Sequence, residues 1–123
     1  MIIGIGTDII EIDRVKKAVS RSNGFLEKAF TEKEIEYFRS RKLSANTIAG
    51  NFAAKEAISK ALGTGFRQFG LKDIEVLRDE LGKPIANLSE KIYEIIGKRN
   101  FKIHVSISHS NDNAIAYSIM EEV

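Results

Sequence analysis

The sequence contains no cysteine, so neither a disulfide nor a thiolate metal site can be part of its design. That absence suits a reducing compartment. No apolar run approaches the ~20 residues that a bilayer span requires, so no membrane segment is expected. The opening Met1–Gly6 is apolar but short, lacks a basic lead-in and turns acidic at Asp8 and Glu11, unlike a secretory signal. A mature cytoplasmic protein is the expectation. An excess of one charge is missing too: 19 basic and 17 acidic residues leave a net charge of +2, which is too even to argue for a nucleic-acid partner. Nor is there an internal repeat, a linker or a low-complexity stretch.

The 123 residues, 43% hydrophobic and 29% charged, amount to one soluble globular domain spanning residues 1–123. Ile2–Thr7 is apolar with two glycines and predicts a buried strand that delivers Asp8 at its end. A helix follows from about Glu11 to Ser20, with Ile12, Val15 and Val19 facing the core and Arg14, Lys17 and Arg21 along another face. Thr31–Lys42 predicts a second helix, opened by the capping box of Thr31 and Glu34. Ser44–Leu62, rich in alanine and closed by Gly63, predicts a third. After the loop Thr64–Gly70 come a strand at Ile74–Leu77, a turn within Glu80–Lys83 and a fourth helix at Asn87–Arg99. Phe101–Ser108 and Ala114–Met120 alternate as strands around a hairpin loop, Ser110–Asn113. This order predicts an α+β fold with a mostly antiparallel sheet.

Four groups of residues could carry chemistry. Asp8, beside Gly6, is either a hard-metal ligand or a helix cap. Phe52, Glu56 and Lys60 fall four residues apart and share one helix face, either as part of a site or as a surface Glu56–Lys60 pair. Ser106-Ile107-Ser108-His109 resembles a nucleophile and its base, but adjacent strand residues point to opposite faces and no G-x-S-x-G elbow is present. A strand end that receives a phosphate suits it better, with an ordinary hairpin shoulder as the alternative. The basic face of Arg14, Lys17 and Arg21 suits an acidic partner or is simply solvated.

Together these segments resemble the holo-acyl-carrier-protein synthases, the small bacterial type of 4'-phosphopantetheinyl transferase. The resemblance rests on Gly6, Asp8 and Arg14, on Phe52, Lys55, Glu56, Ala57, Lys60 and Gly63, and on Ser106 to His109, in order across essentially the whole chain. It implies the phosphopantetheinyl-transferase fold and a homotrimer with active sites at subunit interfaces. The implied reaction moves the phosphopantetheine arm of coenzyme A onto a serine of an apo acyl carrier protein and releases adenosine 3',5'-bisphosphate, in support of fatty acid biosynthesis.

Under that resemblance, Asp8 and Glu56 hold Mg2+ and Glu56 and Lys60 serve the transfer. Lys55, Lys60, Gly63 and His109 contact or shape the coenzyme, and Arg14, Lys17 and Arg21 face the acidic carrier. The chemistry suits these residue types, because phosphoryl transfer needs positioning and charge neutralisation more than a nucleophile of the enzyme's own. A carboxylate bound to a cation is a weaker base, so a water near the metal is the expected proton acceptor rather than Asp8 or Glu56. A metal-dependent phosphatase or nuclease would want more acids than these motifs offer. A carrier- or nucleotide-binding module would leave the Asp8–Glu56 pair without purpose.

Overall fold

Isoleucines recurring through the first eleven residues favour extended backbone, and strand β1 runs over Ile2–Glu11. It is followed by α1 (Ile12–Arg21), α2 (Phe25–Ala29), α3 (Glu32–Ser40), α4 (Ala45–Leu62), a 3-10 turn (Leu71–Asp73), β2 (Ile74–Arg78), β3 (Pro84–Leu88), α5 (Glu90–Ile96), β4 (Phe101–His109) and β5 (Asn113–Glu122). The computed structural model describes residues 1–21 and 24–123. The architecture is α+β. β1, β5 and β4 form an antiparallel sheet in that order, and β2 pairs with β3 in a separate hairpin.

Several elements differ from the sequence expectation. β1 continues past Thr7 because Ile9 and Ile10 stay in register with Ile115 and Ala114 of β5. Asp8 therefore lies inside the strand, opposite Ala116, and does not cap α1, whose first amide bonds instead to the Asp112 carbonyl at 2.9 Å. α2, only five residues long, is too short to show a helical period and was not anticipated. The helix expected from Asn87 begins at Glu90, because residues 84–88 pair with β2. The Thr31 capping box forms, with Glu34 N donating to Thr31 Oγ1 and Thr31 N to Glu34 Oε1.

Helix α4 is the centre of the molecule and is buried on most of its surface. Ala53, Ala57 and Ala61 recur every four residues, which puts them on one face. That face meets β1 where it has Gly4 and Gly6: a Cβ at Gly6 would stand 1.9 Å from the Ala57 carbonyl oxygen, and one at Gly4 1.9 Å from that of Ala61. Small residues on both sides bring strand and helix backbones into contact, so side chains leaving β1 and α4 at this junction converge.

The alternation of β1 and β5 sends Gly4, Gly6, Asp8 and Ile10 toward α4, with Ala114, Ala116, Ser118 and Met120. The other face carries Ile5, Ile9, Ile115 and Tyr117, which are 59%, 63%, 43% and 44% exposed.

Candidate active site

Asp8 leaves the inner face of β1 and Glu56 leaves α4 one residue before Ala57, which abuts Gly6. Both line an open cleft of about 490 Å³, whose wall also includes Glu11, Arg14, Ala18, Phe25 and Phe52. Phe52 stacks against Phe25 with ring centroids 6.3 Å apart, forming an aromatic wall below the carboxylates.

Lys60 does not pair with Glu56 in the manner of a surface ion pair. Its ammonium donates to the Thr7 carbonyl at 3.0 Å and lies 3.4 Å from Asp8 Oδ1. It is half exposed, so a charge is left facing solvent at the cleft's edge. Glu56 is held above the ordinary glutamate range, first by burial and then by the like charge of Asp8, with Lys60 opposing only in part. Two oxygen donors converge here, and they are the residues that could hold a divalent cation. Among the described residues no cluster of three or more His, Cys, Asp or Glu does so.

This arrangement predicts a pH effect on stability. A carboxyl whose folded pKa is raised binds more protons folded than unfolded. Stability therefore falls as pH climbs from the ordinary value of 4.5 through the folded one. Glu56→Gln removes that slope. In chelator, the variant's melting temperature is expected to exceed wild type by an amount that grows between about pH 4 and pH 7. Paired thermal melts across that range check this; a constant difference would count against the strained pair.

The structure separates some residues that the motifs group together. His109, at the end of β4, bonds through Nε2–H to the Asn46 carbonyl at 2.8 Å, in space left by Gly50. It lines a second cleft with Tyr37, Arg41, Arg78 and Lys83, which shares no residue with the first. Within one chain, His109 thus lies apart from the cleft that Asp8 and Glu56 line. The basic members of the second cleft were missed in the sequence: Arg41, Arg78 and Lys83 come from three separate segments, and only the fold collects them. Arg41 and Arg78 both lie against the Tyr37 ring, at 5.6 and 5.0 Å.

Lys55 requires a correction. The sequence expectation put it at the coenzyme pocket, but its side chain is wholly buried and bonds to Glu34 Oε1 at 2.7 Å and to the carbonyls of Leu71 and Ile74. Burial lowers its pKa, with Glu34 acting the other way. Gly63 ends α4 with φ 83°, and a Cβ there would touch nothing within 4 Å. Its structural role is therefore the left-handed turn. Arg14, Lys17 and Arg21 lie exposed along α1; Lys17 pairs with Asp13 at 2.9 Å, and Arg14 reaches the first cleft.

Comparison with known proteins places this geometry among relatives. Residues 4–118 match the model of the 4'-phosphopantetheinyl transferase superfamily. A holo-[acyl-carrier-protein] synthase of Clostridium beijerinckii is 65% identical over 123 residues, covering 100% of both chains. One from Clostridium botulinum strain Eklund 17B is 66% identical, again over both full lengths. Among solved structures, a Bacillus anthracis holo-(acyl-carrier-protein) synthase in complex with CoA (3',5'-ADP) superposes with TM-score 0.84 at 39% identity, covering 100% of this chain and 99% of that one. A Helicobacter pylori counterpart in complex with coenzyme A gives TM-score 0.84 at 33% identity, covering 95% and 99%.

Proposed function

Since the chain belongs to the 4'-phosphopantetheinyl transferase superfamily, among its holo-[acyl-carrier-protein] synthases, we infer that it transfers the 4'-phosphopantetheine arm of coenzyme A to a serine of apo acyl carrier protein. The serine oxygen forms a bond to the phosphorus that carries the pantetheine arm. The bond from that phosphorus to the bridging oxygen breaks, adenosine 3',5'-bisphosphate leaves, and the hydroxyl proton passes to solvent. The observation that carries this reading is the convergence of Asp8, Glu56 and Lys60 beside an open cleft, with no nucleophile of the chain's own required.

Mg2+ fits the donor set. Two converging carboxylates, one of them raised by burial and then by its neighbour's charge, are relieved by a cation. Magnesium commonly takes one or two carboxylates and completes its shell with phosphate oxygens and water. Asp8 and Glu56 would hold it, and it would supply neutralisation of the pyrophosphate charge. Lys60 offers its half-exposed ammonium to a phosphate oxygen at the same edge. Arg41 and Lys83 offer a second cationic surface, with His109 beside them as a further polar group, for the remaining phosphates of the coenzyme. Arg14, Lys17 and Arg21 would receive the acidic carrier, in an attraction that weakens with salt. A cytoplasmic setting and a role in fatty acid biosynthesis belong to the same reading, supported by the carrier that the relatives' names specify.

The reading includes a homotrimer with sites between subunits. Its support is the outward sheet face of Ile5, Ile9, Ile115 and Tyr117, an apolar surface of the kind that chains bury against one another. The separation of the carboxylate cleft from the basic cleft adds to it, since a neighbouring chain could bring the two together. Ile115→Lys is expected to convert the assembly to monomer in light scattering and to depress transfer. A monomeric wild type, or a variant that stays assembled, would refute this part.

The reaction itself is tested by incubating the chain with coenzyme A, Mg2+ and apo carrier. Adenosine 3',5'-bisphosphate should appear only when the carrier is present. Phosphate release without carrier would point to a phosphatase, and binding without release to a docking module.

A further inference from the structure

Behind the carboxylate cleft lies a buried polar hub that the transfer chemistry does not use. Lys55 is 0% exposed, and the three donors of its ammonium meet Glu34 Oε1 at 2.7 Å, the Leu71 carbonyl at 2.9 Å and the Ile74 carbonyl at 2.6 Å. Glu34, also 0% exposed, accepts from Thr31 N at 2.9 Å and Val76 N at 3.0 Å. Asn51, one turn before Lys55 on α4, donates to the Val76 carbonyl at 2.8 Å and approaches Glu34 Oε2 at 3.4 Å. Two successive turns of α4 are thereby fastened to α3, to the 3-10 turn and to β2.

A buried ion pair is weak ground for stability, because desolvation offsets most of its attraction and a well-packed apolar pair often does as well. What it supplies is direction. On its other side α4 meets β1 chiefly through alanines and glycines, and the long side chain that crosses there, Lys60, ends half exposed on the Thr7 carbonyl, a looser hold on rotation or sliding than the buried hub. Residues 55 and 56 are neighbours on the helix, about 100° apart. Fixing the direction in which Lys55 points therefore fixes that of Glu56, on the side facing Asp8.

We propose that the Lys55–Glu34 pair, with Asn51, is a positioning device that sets the rotation and axial register of α4 so that Glu56 stands opposite Asp8. Lys55 acts through Glu34 and touches no substrate. The proposal rests on the transfer reading above, which wild-type turnover checks separately: an inactive wild type would sink that reading, whereas an active wild type with unaffected variants would sink only this one.

The test compares Lys55→Met, Glu34→Gln and the double variant, measured per folded molecule well below the lowest melting temperature. Each single change is expected to lower kcat about tenfold or more, since small misplacements at a reacting centre carry penalties of that size. KM for coenzyme A should stay within about twofold of wild type, and the double variant should lose little beyond the worse single one, because the residues act as a unit. A raised KM for Lys55→Met alone, with Glu34→Gln near wild type, would make Lys55 a coenzyme ligand and overturn the proposal. Lowered melting temperatures with unchanged kcat would make the hub structural only. Should Lys55→Met not fold, Glu34→Gln decides alone by the same kcat and KM criterion.

Discussion

Replacing Gly6 with alanine is expected to destabilise the protein by about 3 kcal/mol or more, near the upper end of what overpacking a core does. The added Cβ would stand 1.9 Å from the Ala57 carbonyl oxygen, 2.8 Å from the Ala61 amide nitrogen and 2.9 Å from the Lys60 Cβ. The first two are backbone atoms of the central helix and cannot swing aside as a side-chain tip would. Strand and helix must separate, and the junction that separates is the one that brings Asp8 to Glu56 and Lys60. Stability and transfer should therefore fall together. Gly63→Ala supplies the contrast: a Cβ there meets nothing within 4 Å, and only the left-handed φ of 83° resists it, for roughly 1–2 kcal/mol. Urea denaturation of the two variants checks the ranking. A Gly6→Ala protein as stable as wild type would contradict the close approach of β1 and α4.

Glu56→Gln should leave the fold intact and lower transfer by about 10²–10³-fold, the usual scale for removing one group that stabilises developing charge. The amide keeps the size of the carboxyl but gives up its charge, and with it the anionic oxygen donor that converges with Asp8. Asp8→Asn should behave alike. The double variant should lose far less than the product of the two, because under the proposed metal role the two carboxylates would act as a unit. The melting temperature of Glu56→Gln should not fall, since the raised Glu56 carboxyl is a strained group in the cation-free chain. Activity lost together with stability would point instead to a structural role for Glu56.

Much of this was legible in the sequence, and where legibility stopped has physical reasons. The spacing of Phe52, Glu56 and Lys60 places them on one face of a helix, and the structure keeps them there. The capping box was readable from Thr31 and Glu34 alone, because it depends on four consecutive residues. The second role of Glu34 was not, since its partner Lys55 is 21 residues away and the wall that buries both comes from β2. Periodicity says which residues share a face but not what will cover it, so Lys55, next to a site residue, looked like a site residue too. Asp8 looked like the end of a strand because aspartate favours caps; only the register with β5 carries β1 on to Glu11. The short α2 gave no period to read, and the basic cleft is gathered from residues 37–41, 78–84 and 105–109, which no local pattern joins.

The central claim is that one carboxylate from β1 and one from α4 together support transfer of a phosphopantetheine arm to a partner's serine. Intact mass of the apo carrier, after incubation with coenzyme A, Mg2+ and this protein, tests it most directly. The account predicts that the carrier gains one phosphopantetheine with wild type, and essentially none in the same time with Glu56→Gln of equal stability. An unmodified carrier with wild type, or full modification with Glu56→Gln, would contradict it.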